Sequence, residues 1–153
     1  MVGRRVSKQS QSGFTIVELL IVIVIIGVLA GLVIVTFSGI QSRARDTERQ
    51  TDIKSVFSHV EAYYAVNGKY PSLAQMNDAT WRSTNLQGLD KEALRDPKNT
   101  SYNLVSTPAT NVYSYAVTAS DGSACDNSTV DCSLYTLTAK LESGTTYAKS
   151  NLD

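Results

Sequence analysis

An uninterrupted apolar run of 17 residues, positions 19–35, constrains this chain more than any other feature. It lies within residues 14–37, where the only polar side chains belong to Thr15, Glu18 and Thr36. A helix over that segment is about 36 Å long, which is enough to cross a hydrocarbon core about 30 Å thick. Ile and Val are common there and would also suit a strand, but strands of such length are very rare. The length of the segment therefore predicts a membrane-spanning helix.

A cleaved secretory signal peptide is the main alternative for such a segment. Signal peptides have an apolar region of about 7 to 15 residues that ends at a small-x-small cleavage site. This run is longer, no Ala-x-Ala follows it, and no cysteine near its end suggests a lipoprotein signal. The flanking charges do not settle the orientation of the helix, because both flanks are basic. The flanking basic residues are Arg4, Arg5 and Lys8 before the run and Arg43, Arg45 and Arg49 after it.

The rest of the composition excludes several classes of function. Acidic and basic side chains balance at 14 each, so a polybasic nucleic-acid-binding surface is not expected. One histidine and two cysteines leave little for a metal site or a histidine-based catalytic centre, and there is no glycine-rich phosphate loop. The histidine, His59, is predicted to be a partly exposed helix residue. The sequence therefore predicts no catalytic residue, no cofactor and no nucleic-acid partner.

Glu18 is the exception within the apolar segment. A carboxylate inside a membrane helix is costly, so it marks a functional site unless it reaches the headgroups. The surrounding residues 12–22, Ser-Gly-Phe-Thr-Ile-Val-Glu-Leu-Leu-Ile-Val, resemble the prepilin processing motif of type IV pilins and type II secretion pseudopilins. The matching features are a short basic leader, Gly13 before the cut, Phe14 after it, and Glu18 as the fifth residue of the mature chain.

The resemblance implies how the N-terminus is processed and used. A prepilin peptidase would cut between Gly13 and Phe14 on the cytoplasmic side and methylate the new amine of Phe14. Gly13 has no side chain, which lets a protease approach the backbone. The mature chain would keep 140 of the 153 residues, and loss of three basic side chains would take its net charge from 0 to −3. Glu18 would pair with the Phe14 amine of a neighbouring copy and so set the register of assembly.

Beyond the apolar run the pattern becomes amphipathic, which predicts that the helix continues to about residue 66. Its apolar face recurs at spacings of three and four, at Ile53, Val56, Phe57, Val60, Tyr63 and Tyr64. Opposite charges three residues apart are predicted on its surface, in the pairs Arg45–Glu48, Asp46–Arg49 and Arg49–Asp52. Asn67-Gly68 followed by Pro71 predicts the end of the helix.

Gly27 and Gly31 are four residues apart in the apolar half of this helix. A Gly-x-x-x-Gly pair lets two membrane helices approach closely, although isolated glycines are also common in membrane helices. Helix packing at Gly27 and Gly31 and ordinary membrane glycines are both open interpretations.

The remaining residues predict a small α+β head. Ser72 and Gln75 form a possible capping box for a helix to about residue 81, and Asp90 is a possible cap for a turn through Arg95. Three segments are predicted strands: 102–105, 112–119 and 134–141. An antiparallel sheet of about three strands would cover the amphipathic half of the helix. The predicted organisation is a leader at 1–13, a transmembrane and assembly segment at 14–40, and a globular head at 41–153.

Cys125 and Cys132 are predicted to form a disulfide in an exported head, with two reduced structural thiols as the alternative. The same loop holds Asp121, Asp126 and Asp131. Major pseudopilins bind calcium in a nearby loop, so these three aspartates are weak calcium candidates by resemblance. The loop matches no calcium-binding pattern, and a solvated acidic loop is the simpler interpretation.

The first functional hypothesis is a structural subunit that polymerises from the cytoplasmic membrane, with its head outside, into an extracellular or periplasmic filament. A type IV pilus is favoured over a type II secretion or DNA-uptake pseudopilus. The expected partners are other copies, related pilins, a prepilin peptidase, the assembly machinery and the membrane. A membrane-anchored binding domain that never polymerises is the alternative from another class, and an anchored enzyme is a remote third.

Overall fold

The computed structural model describes residues 13–151. The chain divides into two compact units, Met1–Ile40 and Gln41–Asp153, and the second unit is called the head below. The predicted leader lies outside the described residues except for Gly13.

The first unit contains the start of helix α1, which runs over Ile16–Asn67. Every large apolar side chain described in this unit is at least 50% exposed, from Phe14 at 84% to Val22 at 50%. The helix is long and apolar enough to cross a membrane. Nothing in the described part of this unit buries that apolar surface.

The second half of α1 forms one wall of the head. Its predicted apolar face is confirmed at Ile53, Val56 and Val60, which are at most 1% exposed. Tyr64 was predicted on the same face but is 40% exposed, with its ring stacked on Tyr70. Phe57 and Tyr63 pack at the margin of the core. The helix ends at Asn67, and Gly68 follows with φ +70°, a left-handed conformation that glycine adopts without strain.

Two short helices and a 3₁₀ turn follow α1. Helix α2, Leu73–Asn77, begins with the predicted capping box, in which Ser72 and Gln75 bond to each other's backbone N–H. The single helix predicted to residue 81 is wrong, since Asp78 ends α2 in an extended conformation and caps α3, Ala79–Asn85. The 3₁₀ turn, Lys91–Leu94, has Asp90 as its N-cap, as predicted.

The head contains a three-stranded antiparallel sheet in the order β1-β2-β3. The strands are β1, Ser114–Thr118, β2, Leu134–Lys140, and β3, Thr146–Ser150. The predictions at 112–119 and 134–141 are confirmed as β1 and β2. Tyr115 pairs with Leu137, which in turn pairs with Lys149 on β3.

The predicted strand at 102–105 is wrong. The Asn77 side chain binds the backbone groups that a neighbouring strand would need. Leu104 N–H donates to Asn77 Oδ1, and Asn77 Nδ2 donates to the Leu104 carbonyl. Only an isolated bridge between Val105 and Ser114 joins this segment to the sheet edge. The third strand is β3 instead.

The inner face of the sheet closes the core against α1. Tyr115, Tyr135, Leu137 and Ala139 are buried in one cluster with the apolar face of the helix. The rings of Phe57 on α1 and Tyr135 on β2 lie 6.5 Å apart. The fold is therefore α+β, with a long N-terminal helix packed on a small antiparallel sheet.

Candidate assembly site

The predicted site at the start of α1 is built by a capping interaction. Thr15 N–H and Thr15 Oγ1 both donate to Glu18 Oε2 at 2.8 Å, and Glu18 N–H donates to Thr15 Oγ1 at 3.2 Å. This is a capping box, Thr-x-x-Glu, which satisfies backbone donors at a helix N-terminus. The sequence pattern carries this signal, but the role of Thr15 was not predicted.

The capping interaction uses one carboxylate oxygen and leaves the other available. Within the described residues, Glu18 Oε1 accepts no hydrogen bond, while Phe14 lies two residues before α1 with its side chain 84% exposed. The structure therefore brings Gly13, Phe14 and Glu18 together at one end of α1. Chemically, the arrangement can present one carboxylate oxygen to a cation, such as an amine, from another molecule.

Gly27 and Gly31 lie in the exposed part of α1. A Cβ atom added at either position would meet nothing within 4 Å in the described chain. Packing within one subunit therefore does not require glycine here, and a role in close helix approach stays a prediction.

The head holds a buried ion cluster where surface pairs were predicted. Arg49 is only 1% exposed, and its Nε and Nη2 donate to both Asp96 oxygens at 2.7 and 3.1 Å. Its Nη1 donates to Asp46 at 2.9 Å and to Glu142 at 3.2 Å. Only the Asp46–Arg49 pair of the three predicted surface pairs forms, and its arginine is buried.

The other predicted pairs are replaced by partners far away in sequence. Arg45 Nε donates to Glu142 at 2.9 Å instead of pairing with Glu48, and Lys98 also binds Glu142 at 2.7 Å. Hydrogen bonds from these cations lower the pKa of Glu142 to about 2. Asp96 and Glu142 are 47 and 93 residues from Arg49, so no local spacing could have indicated them.

Two carboxylates on the second half of α1 accept hydrogen bonds from tyrosine hydroxyls of the head. Tyr113 donates to Asp52 Oδ2 at 2.7 Å, and Tyr135 donates to Glu61 Oε1 at 2.7 Å. Burial raises the pKa of Asp52, although the bond from Tyr113 opposes that shift. These bonds tie α1 to the sheet in addition to apolar packing.

Cys125 and Cys132 are joined by a disulfide, which closes an anchored loop. Inside the loop, Asn127 Nδ2 donates to the Tyr70 carbonyl, and its Oδ1 accepts from Cys132 N–H. The loop therefore docks on the turn that follows α1.

The three calcium candidates have separate partners. Asp121 accepts from Ser123 N–H, Asp126 accepts from three backbone N–H groups, and Asp131 pairs with Lys69. Among residues 13–151, no three His, Cys, Asp or Glu side chains are grouped to hold a metal ion. Calcium binding by this loop stays a prediction.

The predicted helix position of His59 is also observed. Its Nδ1 lies 2.8 Å from the Ser55 carbonyl one turn earlier in α1, and the side chain is half-buried. The ring thus has a helix-bound position, and no Ser, Thr or Cys nucleophile is hydrogen-bonded to it in the part of the chain that the structure describes.

Comparison with known proteins places these features in a family. Residues 8–34 match the model of the prokaryotic N-terminal methylation motif. The chain is 30% identical to the type II secretion system core protein G of Escherichia coli K12 over 121 residues, covering 73% of this chain and 83% of that protein. It is 38% identical to the corresponding protein of Aeromonas hydrophila over 72 residues, 47% of this chain and 50% of that protein.

A pilin is also among the relatives. The type IV major pilin protein PilA of Myxococcus xanthus is 34% identical over 62 residues, which cover 40% of this chain and 28% of that protein. The chain spans about half the length of the Aeromonas relative and less than a third of the Myxococcus one. No solved structure matches significantly. The methylation motif, the exposed apolar helix and the match over most of the Escherichia coli protein together place this chain in the type IV pilin and type II secretion pseudopilin family.

Proposed function

We propose that this chain is a structural subunit of an extruded filament, anchored in the cytoplasmic membrane by the first half of α1 until it is polymerised. The observation that carries the proposal is the exposed apolar surface of residues 14–40, which stands ahead of a head with its own buried core. In the membrane, lipid covers that surface. In a filament, helices from other copies cover it, since close packing and not the hydrophobic effect drives helix association in lipid.

Proteolytic processing prepares the N-terminus for the transfer of the helix from lipid into the filament. A prepilin peptidase cuts between Gly13 and Phe14 and methylates the Phe14 amine, which removes the basic leader from the end that enters the filament. The cleaved bond lies two residues before the Thr15–Glu18 capping box begins its helix, so the protease meets non-helical backbone there.

Glu18 then guides assembly. Its Oε2 is held by Thr15, which fixes the carboxylate in one orientation and leaves Oε1 for the Phe14 amine of a neighbouring copy. In a medium of low dielectric, that pairing offsets much of the cost of two buried charges. A subunit in the wrong axial position leaves both charges unpaired, so the pair selects the register.

Within the family, we infer a type II secretion pseudopilin in preference to the type IV pilus that the sequence alone favoured. The match to the Escherichia coli core protein G spans 121 residues, which exceeds the 67 residues through the end of α1 and so includes part of the head. The 62 matched residues of the Myxococcus pilin need not extend beyond the helix. A type IV pilus subunit is the second candidate, supported by that pilin match.

The test is filament recovery from cells that overexpress the chosen variant as their only copy of the chain, with wild type overexpressed in the same way for comparison. We expect Glu18→Ala to be cleaved and to accumulate in the membrane, yet to yield few filaments. Glu48→Ala is the matched control, since Glu48 is an exposed glutamate of the same helix within the head. Intact-mass analysis should find a methylated chain that begins at Phe14. An uncut chain in assembled material, or normal filament yield from Glu18→Ala, would refute the proposal.

A second measurement separates the two candidates. Sheared surface filaments that contain the chain, with protein secretion unchanged in a deletion strain, would indicate a pilus. Loss of secreted proteins in that strain, without surface filaments at the native expression level, would indicate a pseudopilus.

A further inference from the structure

The head has a cationic cavity with no function in the fold described above. It has two adjoining parts that share Leu86 and Gln87, one of about 420 Å³ and one of about 610 Å³, and the larger part lies between α3, the 3₁₀ turn and Tyr102. Its lining combines apolar side chains with two cations, namely Leu86, Leu89, Leu94, Tyr102, Arg82 and Lys91. No carboxylate lines the larger part.

Neither cation forms a salt bridge with a carboxylate among residues 13–151. Arg82 donates one bond to the Met76 carbonyl, and the Lys91 ammonium lies 5.5 Å from the centre of the Tyr102 ring. Burial lowers the pKa of Arg82, and attraction to the Asp78 carboxylate opposes that shift only in part. The neighbouring Glu92 carboxylate is engaged by Arg95 and by the Tyr102 hydroxyl.

A surface of opposite charge lies on the disulfide loop of the same chain. Residues 120–131 contain three aspartates and neither lysine nor arginine. Their side chains are exposed, and Val130 beside them is 39% exposed. Asp131 pairs with Lys69 of its own chain, so Asp121 and Asp126 carry the charge that is free for a partner. The bonds to Asp126 hold its pKa at about 2, so it stays charged at neutral pH.

The loop is also organised before it meets a partner. The disulfide closes it, Asn127 ties it to the Tyr70 carbonyl, and Asp126 accepts from Ser128, Thr129 and Val130 N–H groups. An ordered loop loses little conformational entropy on binding.

We propose that the acidic disulfide loop, residues 120–131, of one copy docks by Val130 and its aspartates on the cationic cavity beside α3 of the next copy. This proposal rests on the proposed filament. Subunits in a filament repeat by one operation that does not close on itself, so their contact joins two different surfaces. The cavity and the loop are two such surfaces, complementary in charge, and each has an apolar portion.

The test is site-specific photo-cross-linking of the full chain in producing cells. A benzophenone amino acid replaces Val130, whose side chain is exposed. The same probe at Thr51, an exposed residue of α1 that lines neither part of the cavity, is the control. Peptide mapping should place the cross-link from position 130 in residues 79–102 of a second copy. Adding Lys91→Glu should lower the yield about fivefold, the size expected for losing one partly exposed ion pair. Lys54→Glu, an exposed lysine on α1, is the charge-matched control and should not lower it.

The outcomes separate this contact from the filament itself. Filaments without a cross-link from position 130, or with one mapped to another segment, would overturn the contact and leave the filament standing. If no filaments form, the proposed function fails. Dimers in the membrane fraction then decide the contact, since mapping to residues 79–102 supports it and any other result overturns it.

Discussion

Replacing Arg49 by methionine tests whether the buried ion cluster holds the head together. The guanidinium joins three parts of the head, because its partners are Asp46 on α1, Asp96 after the 3₁₀ turn and Glu142 in the β2–β3 turn. Methionine keeps a similar stem and removes the charge together with all of its hydrogen bonds.

Most of the expected loss of stability comes from Asp96, which the substitution leaves buried without its cation. Asp96 has a side chain only 1% exposed, and after the substitution its remaining donor among the described residues is Lys98 N–H at 2.8 Å. Removing one member of a buried ion pair costs about 3 to 5 kcal/mol, since the other charge stays buried without compensation. For a domain of about 100 residues, that loss corresponds to a fall in melting temperature of about 10 to 20 °C.

The assay is thermal unfolding of the full chain in detergent, followed by near-ultraviolet circular dichroism. All eight tyrosines and the tryptophan lie at or beyond residue 63, so this signal reports on the head and not on the apolar part of α1. Arg45→Met is the matched control, because Arg45 is 25% exposed and shares Glu142 with other cations. We expect a much smaller fall for that variant.

A third variant checks the physical cause. Adding Asp96→Asn to Arg49→Met removes the stranded charge while keeping an acceptor for Lys98 N–H, so it should restore part of the lost melting temperature. A fall for Arg49→Met no larger than for Arg45→Met, or no recovery in the double variant, would refute the reasoning.

Three further predictions concern the head. Tyr135→Phe removes the hydroxyl that donates to Glu61 at 2.7 Å. It should cost about 1.5 to 3 kcal/mol in a denaturant titration, and an unchanged midpoint would contradict this. Replacing both Cys125 and Cys132 by serine should cost about 2 to 3 kcal/mol by the same method, and the wild type in reductant should match that variant. The pKa of Glu142 is lowered from 4.5 to about 2 in the folded chain. Its contribution to the free energy of unfolding is therefore complete above pH 4.5 and is lost as pH falls towards 2. The melting temperature of Glu142→Gln should therefore fall less than that of the wild type between pH 4.5 and 2. An equal fall in both proteins would show that Glu142 is not the cause of the acid destabilisation.

The elements that the sequence predicts well are those whose signals are local. An apolar run without proline predicts α1, and Asn67-Gly68 predicts its end, because both depend on residues within a few turns. The caps at Ser72 and Asp90 are equally local, since a side-chain oxygen bonds to N–H groups two or three residues later. The alternating pattern predicts β2 because Tyr135, Leu137 and Ala139 all face the core.

The errors occur where a distant residue determines the local structure. The segment 102–105 has strand-forming residues, but Asn77 takes both backbone groups of Leu104 and removes them from a ladder. Strand β3 is missed because it is an edge strand whose residues alternate between exposed and half-buried, so little apolar pattern marks it. Both features depend on pairings between residues far apart in the chain.

The candidate sites divide in the same way. The predicted site at Gly13, Phe14 and Glu18 depends on a local signal, since all its residues lie within six positions of one another, and its function stays a prediction. Arg49 looks like a surface residue on the helix because its nearest opposite charges are three positions away. Its burial becomes visible only when Asp96 and Glu142 arrive from other elements and provide the charge that a desolvated guanidinium needs.

The charged groups of α1 are therefore satisfied in two different ways, which predicts that substitutions can separate assembly from folding. Arg49, Asp52 and Glu61 bond to side chains of the head of their own chain. Glu18 has one oxygen held by Thr15 and one that accepts nothing within the described chain. Substitutions of the first group should change the melting of the head, whether or not the chain is assembled. Substitution of Glu18 should change filament yield and leave the melting of the head as it is, because the hydrogen bonds that Glu18 makes within the described residues go to Thr15. A Glu18→Ala chain whose head melts at a lower temperature as a membrane monomer would contradict this separation.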